Sequence, residues 1–272
     1  MKNRSRFWVY FFLVFGIVLT IGPFIWMFLT SIKTYEEAIK IPPAIFPETA
    51  QWVNYSIILE KFPFLNLYFN TFLVVACVIA GQLFISSLAA FSFARLDFPG
   101  KNVIFVIMLS LLMIPGQIFL IPHYSIMVTL KLTNTLTALV IPSLFSVFGV
   151  FLLRQFFLSI PKELDEAAKI DGCSFFQIYY RILLPLAKPG LMSLAILTAL
   201  ATWKSLIWPI IINRSLNKMT LSAGLAFLIG EHTTYYEQVM AGGVISVLPM
   251  IIIFVFFQRH IVEGIVSSGI KG

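Results

Sequence analysis

The sequence predicts an all-α integral membrane protein with six transmembrane helices, and three observations lead there. Of its 272 residues, 59% are hydrophobic and 11% charged, where an ordinary soluble domain carries roughly 25% charged residues. So little polar material cannot cover a soluble surface. Hydropathy marks six apolar runs, at 8–31, 68–94, 103–127, 136–157, 190–212 and 239–261, each near or above the roughly 20 residues that cross a hydrocarbon core as a helix. The runs are also continuous, whereas a membrane barrel shows alternating strands of about ten residues.

The first run follows a basic start, MKNRSR. Its apolar length exceeds the roughly 7–15 residues of a signal-peptide core, and no small-residue cleavage site follows, so it reads as an uncleaved first helix. Six alternating spans then sort the 19 Lys and Arg residues. Twelve fall on the side of the N-terminus and six (Lys33, Lys40, Lys61, Lys131, Arg214 and Lys218) on the other, with Lys204 left inside a span. Acidic residues divide six and six. Only Lys and Arg report topology, so both termini are placed in the cytosol. The net charge of +7 reflects this sorting rather than a nucleic-acid patch.

Between the first two spans, residues 33–67 contain PPAIFPETAQWVNY. Prolines remove amide donors and fix φ, so turns with a short surface helix are expected there. The segment 213–238 holds an apolar stretch, Thr220 to Ile229, read as a re-entrant or docking helix because it is too short to span. Pro115, Pro122, Pro142, Pro209 and Pro249 interrupt spans three to six. Each frees a backbone carbonyl, tolerated in a membrane where a neighbour or a water-filled cavity satisfies it. Together they point to a bundle bent around a pathway. Cys77 and Cys173 are read as packing residues without a disulfide framework.

The stretch 161–188 is different. Its eight charges, at roughly 2.5–3.5 kcal/mol each at the bilayer centre, cost about 20 kcal/mol to bury in lipid, so it belongs in the cytosol. Pro161 suits a first helical position. Glu163, Asp165 and Glu166 sit near the positive end of the helix dipole. Leu164, Ala167, Ala168 and Asp171 share a face by three- and four-residue spacing. Gly172 ends the helix at positive φ, Ser174 and Gln177 form a capping box for a second helix, and Pro185 marks that helix's end. A polar hairpin with a small-residue face suits docking on another protein.

The pattern Glu166-Ala167-Ala168, three residues, Gly172, nine residues, then Ile182, Leu184 and Pro185 resembles the EAA loop of ABC-importer permeases. With the downstream LPLAKPGL it looks like the carbohydrate-uptake branch. The likeness extends to FARLDFPGKN after the second span, LPM in the sixth, and the terminal FFQRHIVEGIVSSGIKG. It is most similar to the maltose-type permease lacking a large extra periplasmic domain. The resemblance implies a type I importer fold, one permease domain over 1–272, in the bacterial inner membrane. It further implies a second permease, two cytosolic ATPase subunits that receive the hairpin, an extracytoplasmic solute-binding protein, and a sugar-like solute. Glu166, Ala167, Ala168, Asp171, Gly172, Ile182, Leu184 and Pro185 are then the coupling residues. No G-x-x-x-x-G-K-[ST] phosphate loop occurs in the chain, so ATP and Mg are expected on the partners and no cofactor on this subunit. Contact between the terminal tail and the ATPases is a further implication.

Candidate pathway residues are Trp203, Lys204, Trp208 and Tyr124. An ionisable residue within a span faces an interior or cavity by default, and Lys204 lies about eight residues, roughly 12 Å of helix, before the outer end of the fifth span. Related permeases often carry Asn and an acidic residue after the matching Trp, and Lys204-Ser205 departs from that. The aromatic side chains suit either sugar stacking or membrane-interface contact. His123, His232 and His260 are scattered, without a metal or catalytic pattern. An ion-coupled carrier is the alternative, but no span contains the carboxylate it needs; an intramembrane enzyme lacks its constellation.

Overall fold

The computed structural model describes the backbone of residues 2–229 and 234–269, and the side chains of 8–229, 234–252 and 255. Among these residues every regular element is helical. By Cα packing the chain divides into two compact units, one formed by 1–65 and 224–254, the other by 66–223 and 255–272.

In the first unit, α1 (Lys2–Ser31) is apolar and contains Pro23. Its side chains from Trp8 through Ile21 are exposed on every face, the surface of a helix that meets lipid or another chain rather than its own core. Two short helices follow, α2 (Tyr35–Ile39) and α3 (Val53–Lys61). Thr34 and Glu37 close a capping box at the start of α2. Asn54 donates to the Ser31 and Lys33 carbonyls at 3.0 and 2.9 Å, tying α3 to the end of α1. Lys33 is fully buried; its Nζ donates to the Ala44 carbonyl at 2.5 Å and lies 4.4 Å from the Trp26 ring centre. Burial pushes its pKa down.

The second unit starts within α4 (Phe64–Arg95), a single unbroken helix long and apolar enough to cross a membrane. The next two apolar runs are bent at prolines. α5 (Lys101–Ser110) and α6 (Leu120–Thr129) are joined through 3₁₀ turns on either side of Pro115, with the two halves at 96°. α7 (Leu136–Val140), extended by a 3₁₀ turn at Ile141–Ser143, meets α8 (Val147–Ser159) at 47°. The hairpin contains α9 (Glu163–Ile170), α10 (Phe175–Ile178), a π turn and the short α11 (Leu184–Leu186).

The fifth run departs from the expectation of one helix over 190–212. α12 (Lys188–Trp203) ends, residues 204–206 are non-helical or turn, and α13 (Ile207–Ile212) begins anew. Pro209 is the reason: a continuous helix would set its ring against the Ser205 carbonyl and leave that carbonyl without a donor. After it, the apolar stretch from Thr220 yields only the six-residue α14 (Leu221–Ala226). α15 (Tyr236–Gly269) carries Pro249 within it.

One core of the second unit joins Ala90, Phe91 and Ala94 of α4, Val150, Leu153 and Phe157 of α8, and Ala168, Ile178, Tyr179 and Leu183 of the hairpin. Gly190 allows α12 to pass close to α8: a Cβ there would sit 2.5 Å from the Phe156 ring. Small residues serve membrane helices in this way, by admitting close backbone approach.

Candidate functional site

Two arrangements carry the predicted residues. The first is the hairpin. Ile160 is extended, as the residue before a proline prefers, and α9 starts at Glu163 with Lys162 as its cap. Pro161 therefore precedes the helix rather than occupying its first position. Acids fill the first turn and Lys169 the last, in keeping with the dipole. The helix closes in a Schellman motif: Cys173 N donates to Ala168 O at 2.9 Å, Gly172 N to Lys169 O at 3.0 Å, and Gly172 has φ +80°. Space around Gly172 is open, so conformation rather than packing requires glycine. Ser174 and Gln177 then form the expected capping box. The second helix is interrupted by a π turn at Tyr179–Leu183, just before Pro185, which cannot donate to the Arg181 carbonyl.

The predicted small-residue face divides. Leu164, Glu166, Ala167 and Asp171 are exposed, while Ala168 turns inward. Gly172 and Pro185 are exposed, and Ile182 and Leu184 half-buried around the fully buried Leu183. Ile170, Phe175 and Phe176 add exposed apolar surface.

Sequence reasoning missed the inward face. Asp165, counted only as a charge near the dipole, pairs with Arg95 at 2.6 Å, the two side chains 10% and 3% exposed. Burial pushes the Asp165 carboxyl up from its usual range, against the pull of Arg95, Lys169 and Lys162. Arg95 also donates to the Ile160 carbonyl at 2.8 Å, and the Tyr179 hydroxyl meets Ser87 Oγ at 2.7 Å. A signal was present: Asp165 stands three residues before Ala168, on the same side of the helix.

The second arrangement is a cleft of about 540 Å³ within the second unit, where the broken helices converge. Pro142 cannot donate to Ala138, and the Trp208 indole supplies that carbonyl with a hydrogen bond at 3.0 Å. Gln82 donates to Ser143 O at 2.7 Å and accepts from Thr198 Oγ1 at 2.7 Å, linking the break before α8 to α12. Ser143, Thr202, Ser205, His123 and Trp208 line the space among apolar neighbours. Its lining contains no Lys, Arg, Asp or Glu.

Of the four predicted pathway residues, Trp208 alone lines this cleft. Tyr124 lines a smaller recess with Leu120, Ile121 and Ile211. Trp203 is buried, edge-on to Phe72 at 5.2 Å, with its carbonyl accepting from Ser222 at 2.7 Å. Lys204 caps α12 and is exposed. A position 12 Å down a continuous helix does not exist for it, because the helix ends there. The segment beyond is held by amide side chains: Asn70 donates to the Asn217 and Met219 carbonyls, each at 2.9 Å, and Asn134 Oδ1 accepts from the amides of Arg214 and Ser215 at 3.1 and 3.0 Å. Cys77 is exposed and Cys173 half-buried, both free. Among the described residues no His, Cys, Asp or Glu group converges for a metal. His232 and the side chains of His260 and the terminal tail lie outside the described residues.

The family model described as "Binding-protein-dependent transport system inner membrane component" matches residues 82–267. The chain is 31% identical over 281 residues to the arabinooligosaccharides transport system permease protein AraQ of Bacillus subtilis, with 100% of each chain covered. It is 38% identical over 203 residues to AraQ of Halalkalibacterium halodurans, spanning 75% of this chain and 73% of that one. The sn-glycerol-3-phosphate transport system permease protein UgpE of Salmonella typhi is 31% identical over 265 residues, 94% of each. The fold matches a chain of a bacterial ABC transporter involved in the import of the acidic polysaccharide alginate, with TM-score 0.81, 23% identity, and 95% and 98% of the two chains covered. The chain belongs to the binding-protein-dependent transport system inner membrane components: it is a multi-pass inner-membrane permease subunit of an ABC transporter, and not itself an enzyme.

Proposed function

We propose that this subunit moves a sugar or related solute inward, with six spans, both termini in the cytosol, and the hairpin seated on an ATPase subunit. The carrying observation is the hairpin itself. It presents Glu166, Ala167, Asp171 and Gly172 outward beside exposed Leu164, Ile170, Phe175 and Phe176, an apolar and charged surface suited to a protein cleft. Its inner face is bolted into the core by Ala168 and Leu183. Ile182, Leu184 and Pro185 stiffen the return. Nucleotide and Mg belong to two ATPase partners, whose closure acts through the hairpin by favouring one of two states of the bundle. A second permease completes the pathway. A solute-binding protein delivers the ligand, as a related transporter solved with a periplasmic protein carrying an alginate pentasaccharide suggests. The sugar class follows the relatives named for arabinooligosaccharide and glycerol-phosphate transport.

Trp208 and the cleft hydroxyls supply this chain's share of the pathway, with Tyr124, Trp203 and Lys204 near its outer part. Purification from native membranes should recover an ATPase and a second permease with this chain. Proteoliposomes holding the complex and its binding protein should then take up arabinotriose only with ATP. Transport by this chain alone, without ATP, would overturn the reading.

A further inference from the structure

We propose that the Arg95–Asp165 ion pair is a mechanical joint that fixes the hairpin in register on the end of α4, so that the two move as one piece when an ATPase pulls. Arg95 and Asp165 are positioning residues here, and the inference rests on the reading that the hairpin meets an ATPase.

The geometry singles out this pair. Arg95 is the last residue of α4, and one guanidinium reaches both Asp165 in α9 and the Ile160 carbonyl that closes α8. Three elements therefore meet at one side chain. On α9 itself the other attachment is apolar; a further directional tie to α4, the hydrogen bond between Tyr179 and Ser87 at 2.7 Å, belongs to the π turn of the return. Ala168 packs among Ala90, Phe91 and Ala94, and the Tyr179 ring lies 5.3 Å from that of Phe91. Apolar contacts are non-directional, so small alanine surfaces tolerate a slip along the helix. A carboxylate 2.6 Å from a guanidinium does not, because displacement leaves both charges out of water and unpaired.

Nor is the pair well explained as a simple stabiliser. Its desolvation exceeds the attraction felt by Asp165, and among the described residues Arg95 Nε, which meets Asp165 as an ion pair, Arg95 Nη1 and Asp165 Oδ1 make no aligned hydrogen bond. A pair that is costly to bury and incompletely satisfied specifies a position more than it adds stability. Lys162 and Lys169, the nearby bases of the hairpin, are exposed and do not replace Arg95.

The test uses the full complex in nanodiscs, with Cys77 and Cys173 changed to Ser and spin labels on Phe84→Cys of α4 and Glu163→Cys of α9, both exposed and neither on the docking surface. In the otherwise unaltered protein the label-to-label distance should be the same with and without ATP and vanadate. Asp165→Asn and Arg95→Ala should broaden that distance and make it shift with nucleotide. Arg95→Glu combined with Asp165→Arg should narrow it again. Should Arg95→Ala fail to assemble, the shape-conserving Asp165→Asn carries the comparison alone. A nucleotide-dependent shift without either substitution, or an Asp165→Asn distance as narrow and fixed as the parent's, overturns the joint. Failure of any ATPase to co-purify instead removes the functional reading beneath it, a separate and visible outcome.

Discussion

The hairpin and the Trp203–Trp208 stretch are both short interruptions beside long apolar helices, yet they break for different reasons. In the hairpin the stop is written locally. Gly172 adopts φ +80°, Cys173 and Gly172 satisfy the last carbonyls of α9, and Ser174 restarts the chain with its own cap. In the other stretch no glycine ends α12, which closes on Lys204 with its amide donated back to Leu200. Pro209 forbids continuation, and Trp208, just past the break, serves another proline's carbonyl: its indole donates to Ala138 O, seventy residues away in the chain, which Pro142 leaves free. The hairpin supplies its own hydrogen-bond partners; the Pro142 break borrows one from Trp208.

That contrast can be broken experimentally, and the largest effect is expected at the local stop. Gly172→Val forces a β-branched residue into the left-handed region, at a cost above the roughly 1–2 kcal/mol that a Cβ incurs there. Insertion into the membrane should persist while ATP-driven uptake is lost or the ATPases fail to dock, as vesicle uptake and co-purification will show. Normal assembly with normal uptake would falsify the coupling role of this turn.

Removing one member of the buried pair ranks second for uptake, although its cost in local stability is larger. Arg95→Ala or Asp165→Ala should loosen the hairpin by about 3–5 kcal/mol, because a buried charge is left alone. Hydrogen exchange over α9 measures this, and Arg95→Met with Asp165→Leu should recover most of the protection. Trp208→Phe keeps the ring and loses the indole donor, leaving Ala138 O unsatisfied at a cost of about 1–3 kcal/mol, read as a lowered unfolding temperature. An unchanged temperature means that water or another group caps the break.

Lys204→Met should leave stability within about 0.5 kcal/mol, since the side chain is exposed and surface changes are small; uptake should nonetheless fall, and unchanged transport kinetics would remove it from the pathway. The smallest effect is in pH. Burial raises the Asp165 pKa in the folded hairpin, so the folded state holds its proton more tightly than the unfolded chain. Asp165's contribution is therefore full below the unfolded value and lost as pH rises through the folded one. Exchange protection of α9 should decline across that window, and Asp165→Asn should abolish the decline.

The hairpin was legible because its residues act on their neighbours in sequence: Glu166 through Gly172, then Ser174 and Gln177, carry their helix starts and stops within a few positions. The same locality explains what stayed hidden. Asp165 and Glu166 are adjacent acids in one helical turn, and which of them faces Arg95, seventy residues earlier, is decided only when α9 lies on α4. Likewise the helix break at Lys204 stayed hidden because the hydropathy of 190–212 is uninterrupted, and hydropathy does not register a missing amide.

Composition and apolar run length thus determined by themselves that the chain is helical and built for lipid, and the spacing of one polar segment pointed to its family. Tertiary structure decided where the apolar runs break, which hairpin face is buried and which polar groups meet in the cleft. The physical reason is that burial of apolar surface depends on how much of it a segment carries, a sum over sequence. A buried charge or a freed carbonyl needs one partner at one distance, and only the folded chain supplies it.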